Sequence, residues 1–192
     1  LRLVGGESSS CERCRDGSMA RHSAFNGREV RQIAGASLLP FRTSCKGPVN
    51  TSKVGSFEEE GDDVIDEAIS YYRANVLFRN YEIHGGADRV LLYLTLYISA
   101  CLAKIDKTPS PKEAEKALQM MAFETFALPG QAGFPFNAFF DKAERHEDLE
   151  ELKAYMKQLR EETGQRVCKV GFTSEGKPNK FWTAFAKRKF MN

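Results

Sequence analysis

Histidine and tryptophan are scarce in this chain: His22, His84 and His146 are its only histidines and Trp182 its one tryptophan among 192 residues. The histidines lie far apart, no Cys or His pair stands at ligand spacing beside them, and no serine or cysteine nucleophile has a base nearby. A glycine-rich phosphate loop is missing too. These absences leave no catalytic apparatus, no cofactor and no metal in the expectation, and they point away from an enzyme. His84, standing alone after the helix before it, reads as a solvent-facing loop histidine with neither an acid-base partner nor a metal companion.

Charge of one sign is also lacking. Residues 1–46 hold 8 Lys+Arg against 4 Asp+Glu, which leaves 20 against 22 for the rest. The body of the chain therefore lacks the basic excess of a nucleic-acid binder. Five cysteines, an odd number with Cys45, Cys101 and Cys168 in or beside apolar segments, fit reduced thiols of a cytosolic protein better than a disulfide framework. Residues 1–18 contain no apolar segment long enough for a signal-peptide core, and they stop just before Met19, so they read as a non-native or disordered extension. Arg13, Arg15, Arg21, Arg28 and Arg31 interspersed with serines also fit a mitochondrial transit segment, against which Glu12, Asp16 and Glu29 count. Cys11 and Cys14 form a Cys-x-x-Cys that could serve a small redox or metal protein. No second ligand pair supports that alternative.

What the chain does have is one stretch, Asp88 to Ile105, that is uncharged from Val90 through Ala103. Wound at 3.6 residues per turn, it is apolar on every side: Leu91, Leu94, Ile98, Leu102 and Ile105 on one face, Val90, Tyr93, Tyr97 and Ala100 on another. A helix of that kind is buried. Thr95 and Ser99 on the remaining face can bond back to carbonyls four residues earlier. A membrane span, which needs about 20 apolar residues, is disfavoured on length.

The other segments read as amphipathic covers. A polar arm, residues 19–36, leads into a single helical domain, residues 37–192, whose entry Leu38-Leu39-Pro40-Phe41 lies flat across the helices as irregular or strand-like chain. Acids from Glu58 to Asp63 precede a helix from about Asp63 to Asn80, with Asp62 as its cap. Gly85 and Gly86 offer the positive φ of a sharp reversal. Ser110, Pro111 and Glu113 start a helix running to about Phe123. Glu147 to Thr163 forms a fourth helix capped by Gly164, residues 165–172 stay undecided between strand and helix, and a short helix closes the chain. The fold class is all-α, about five helices around one buried helix at residues 88–105.

Two surfaces are candidates for partner binding. Lys187, Arg188 and Lys189 beside Trp182 and Phe190 form a basic-aromatic patch suited to an acidic protein surface. The Phe-, Pro- and Gly-rich stretch containing Phe134 and Phe136 packs either on the core or on a partner.

The succession Leu38-Leu-Pro-Phe-Arg42, Lys46-Gly-Pro48, Asp66-Glu-Ala-Ile69, Asn80-Tyr-Glu-Ile83, Ala87-Asp-Arg89, Leu128-Pro-Gly130, Gly133-Phe-Pro135, Glu162-Thr-Gly164, Trp182-Thr183 and Phe190-Met-Asn192 resembles the family of subunit 3 of the actin-related protein 2/3 complex, the p21-Arc family. The resemblance runs in order from Leu38 to Asn192. It implies an all-helical, non-catalytic subunit of the cytoplasmic assembly that nucleates branched actin filaments. The implied partners are the other subunits, chiefly the actin-related protein 3 subunit, and the actin filament, with no nucleic acid and no membrane insertion. A stand-alone helical adaptor is the alternative.

Overall fold

The computed structural model describes residues 20–49, 61–78 and 80–188. Its elements are a two-residue hairpin, β1 (Gln32–Ile33) and β2 (Ala36–Ser37), then α1 (Val64–Asn75), α2 (Gly86–Ile105), α3 (Pro111–Phe123), α4 (His146–Gly171) and α5 (Lys180–Thr183), followed by a 3-10 turn at Phe185–Lys187. β1 and β2 pair antiparallel, Gln32 opposite Ser37 and Ile33 opposite Ala36. The architecture is helical, as expected, with five helices and this one small hairpin among the described residues.

α1, α3, α4, α5, β2 and the 3-10 turn all pack on α2, while the outer strand β1 lies against β2 and α4. Leu91, Leu94, Ile98, Cys101, Leu102 and Ile105 are wholly enclosed, and so are the polar residues Asp88 and Thr95. The hydroxyls cost nothing because Thr95 Oγ1 donates to the Leu91 carbonyl at 2.8 Å and Ser99 Oγ to the Thr95 carbonyl at 3.1 Å. One edge, at Ala100 and Lys104, meets solvent. At 20 residues α2 is in fact long and apolar enough to cross a membrane; length does not exclude that role, and what distinguishes α2 is that most of it is enclosed by the other elements.

Helix α1 starts from Asp63, not Asp62. Asp63 Oδ1 accepts from the N–H groups of Ile65 and Asp66 while Asp66 Oδ2 accepts from the Asp63 N–H, a closed capping box. The helix stops at Asn75, five residues before the expected end, and the Asn75 side-chain amide ties that end to the arm: its Oδ1 accepts from the Arg21 N–H and its Nδ2 donates to the Arg21 carbonyl. Gly85 and Gly86 do not take positive φ. Their small size matters instead, since a Cβ on Gly86 would press into the Ser37 hydroxyl and stand 2.9 Å from the Gly35 carbonyl.

Helix α4 passes straight through Gly164 and ends at Gly171, so residues 165–171 are helical. Glycine stops a helix only where the chain gains by turning. Here continuation keeps Val167 in the core and brings Gly171 to Ile105, where a Cβ would approach the Ile105 Cδ1 to 2.6 Å. The aromatic stretch after α3 goes to the core. Phe134, Phe136 and Phe140 are buried, with the Phe134 and Phe140 rings edge to face at 5.1 Å and Phe134 stacked on Tyr93. The Asn137 amide fastens this irregular segment by accepting from the Gly130 N–H and donating to the Gln131 carbonyl, each at 2.8 Å.

Candidate functional site

The candidate partner residues do not form one surface. Phe134 and Phe136 are core residues and offer nothing to a partner in this fold, because two edge-to-face rings under a fastened loop gain more from burial than from exposure. Lys189 and Phe190 lie outside the described residues. Lys187 and Arg188 are exposed, and Lys187 Nζ stands 3.6 Å from an Asp106 carboxylate oxygen. Trp182 is half-buried against the Tyr72 ring, and the exposed aromatic beside it is Phe181, under the Arg73 guanidinium at 4.0 Å. Asn179 sets this up: its Oδ1 accepts from the Phe181 N–H and starts α5, turning Phe181 outward and Trp182 inward.

Trp182 also borders an open groove of about 900 Å³ between α1, α4 and the chain around Arg42. Its floor is an ion-pair cluster built on Arg166. The guanidinium donates to Asp63 at 2.7 Å, Asp66 at 2.8 Å and Glu162 at 2.8 Å, and to the Arg42 carbonyl. Arg42 in turn pairs with Asp66. Burial works against ionised Asp63, yet Arg166, the Arg42 N–H and the helix N–H groups outweigh it and hold the carboxyl below its ordinary range. Arg166 thereby joins the start of α1 and the chain around Arg42 to α4.

A third polar cluster was not foreseen. His22 Nδ1 lies 2.9 Å from Asp88 Oδ2, which also accepts from the His84 N–H, and the two imidazoles stack at 3.7 Å. Asp88 Oδ1 accepts from the Ser23 N–H, and the Ser23 hydroxyl donates to Glu67 at 2.6 Å. His84 is exposed as expected, but it is not alone. His22 and Asp88 are 66 positions apart, so no local spacing rule could have brought these groups together. The arm thus docks on α1 and α2, and the side-chain Oδ1 of its Asn26 accepts from the Asp88 N–H and so caps α2, whose own N-cap residue Gly85 supplies no side-chain bond.

Cys101 is fully buried, and burial pushes its thiol up to about 12, leaving it unreactive, while Cys45 and Cys168 are half-buried and free. Cys11 and Cys14 lie outside the described residues.

A family model described as "P21-Arc: ARP2/3 complex ARPC3 (21 kDa) subunit" matches residues 18–192. The chain is 42% identical over 178 residues to a Dictyostelium discoideum protein, covering 91% of this chain and 98% of the relative. It is 40% identical over 175 residues to one from Arabidopsis thaliana, with 91% and 98% covered. A Schizosaccharomyces pombe protein is 39% identical over 175 residues, with 90% and 97% covered. All three are named "Actin-related protein 2/3 complex subunit 3".

Proposed function

The chain belongs to the P21-Arc family, the ARPC3 subunits of the ARP2/3 complex, and from that premise we propose that it is a non-catalytic structural subunit of such a complex. In this reading it docks on the actin-related protein 3 subunit, acts in the cytoplasmic actin cytoskeleton and supports nucleation of branched filaments. The observation that carries the proposal is coverage: the likeness spans nearly the whole of each chain, so the body is shared and not one segment of it.

For the docking surface we propose the patch made by Phe181, Trp182, Lys187 and Arg188, extended by Lys189 and Phe190. Phe181 is 57% exposed and carries the Arg73 guanidinium over its ring at 4.0 Å. Aromatic area supplies most of the binding energy at such sites, while clustered charge fixes orientation and speeds encounter.

The test is the variant Lys187→Glu/Arg188→Glu/Lys189→Glu, assembled with the other subunits and assayed for branched filaments. The isolated chain should melt within a few degrees of wild type, since exposed charges contribute about 0–1 kcal/mol each. Incorporation and branching should fall at least several-fold, with a weaker dependence on salt. Wild-type assembly and branching across ionic strengths would remove this surface from the account.

A further inference from the structure

We propose that His22, His84 and Asp88 form a binding site for a divalent transition-metal ion of the zinc class, which would clasp the N-terminal arm to the start of α2. One ligand atom from each residue lies within 4.8 Å of the others. Around a tetrahedral zinc ion with ligands at about 2.0–2.2 Å, ligand atoms stand about 3.3–3.6 Å apart. His22 Nδ1 and Asp88 Oδ2, at 2.9 Å, already have close to that separation. His84 is exposed and needs only a side-chain rotation to leave its stack on His22 and turn a ring nitrogen inward, while its backbone N–H stays on Asp88. Two imidazoles and a carboxylate are a set that borderline cations such as Zn²⁺ favour, with the solvent side left for water.

Electrostatics points the same way. Asp88 is completely enclosed and Glu67 nearly so, the Ser23 main-chain N–H and hydroxyl bridging them. Among the described residues no lysine or arginine forms an ion pair with either carboxylate; the one cation-capable partner of Asp88 is His22. Burial raises the affinity of Glu67 for its proton, and the negative charge of Asp88 adds to that effect. The two imidazoles stack at 3.7 Å beside Asp88. A metal ion takes both as neutral ligands and places its charge against the buried Asp88 carboxylate. Ser23, whose N–H holds Asp88 Oδ1, would orient the ligating carboxylate from behind.

The experiment uses the full chain, stripped with chelator and titrated with Zn²⁺ alone, with Co²⁺ as the optical probe. Three proteins are compared: wild type, His84→Ala, and Cys11→Ser/Cys14→Ser as a control for thiol ligands. Wild type and the cysteine variant should bind one ion per chain with a rise in melting temperature, less tightly as the buffer is acidified, because imidazole ligands must lose protons to bind. His84→Ala should bind at least tenfold more weakly and still melt cooperatively without metal. The proposal is overturned by no saturable binding, by binding that His84→Ala leaves intact, or by binding that the cysteine variant abolishes.

Discussion

At the scale of single residues, Arg166 holds together segments that the sequence keeps a hundred positions apart: its guanidinium meets Asp63 and Asp66 at the start of α1 and Glu162 on its own helix. Replacing it with alanine leaves three carboxylates facing each other at the edge of the core. We expect Arg166→Ala to lower stability by on the order of 3 kcal/mol, measured by urea unfolding, with Arg166→Lys between it and wild type because an ammonium cannot make the forked contacts. Asp63 makes the cluster pH-sensitive. Its folded carboxyl sits below the unfolded value of 3.8, so its contribution is complete above that value and is lost as pH falls through the lower folded one. Asp63→Asn should therefore lose less stability between pH 5 and pH 3 than wild type does. Glu67 has the opposite sign, its folded carboxyl lying above 4.5, so its contribution is present below 4.5 and declines as pH rises through the folded value. Equal acid sensitivity of Asp63→Asn and wild type would show that the cluster does not hold that proton off.

At the scale of elements, the account rests on α2 being enclosed. Leu94→Asp or Ile98→Asp would place a carboxylate with no partner where exposure is zero, which costs several kcal/mol against a total of about 5–15. Neither variant should fold, and a cooperative melt from either would contradict the burial of α2. Thr95→Val should be mild, since its hydroxyl serves only the Leu91 carbonyl. Helix α4 offers a sharper test, because Gly164 is inside the helix and a Cβ there would meet Leu118 Cβ at an ordinary 3.6 Å. Gly164→Ala should then be neutral or stabilise by up to about 1 kcal/mol. At a C-terminal cap with positive φ the same change would destabilise. Helices α2 and α3 were legible because their signals are local: an uncharged apolar run, and Ser110 whose hydroxyl accepts from the Glu113 N–H. The ends of α1 and α4 were not, since the end of α1 is joined through Asn75 to Arg21 on the distant arm and Gly164 is overridden by the packing of Val167 and Gly171, contacts that no window of sequence contains.

At the scale of the whole molecule, what remains outside the core decides the function. Phe134 and Phe136 went to the core, and Trp182 half into it, while Phe181 stays exposed under Arg73, Phe123 stays exposed under Lys157, and Lys187 and Arg188 face solvent. Reading Trp182 and Phe181 apart required knowing that α5 lies against Tyr72 and Arg73, a contact made by residues more than a hundred positions earlier. Family membership was visible in the order of short motifs, because those motifs are read directly along the chain and do not depend on long-range packing. The most direct test of the account is affinity purification of the tagged chain from cytosol, at moderate salt, with the co-purifying proteins quantified by mass spectrometry. The account predicts actin-related proteins and the remaining subunits of the complex recovered in equal amounts with the bait, in one particle on size exclusion. Recovery of the folded chain alone, or with partners that include no actin-related protein, would contradict it.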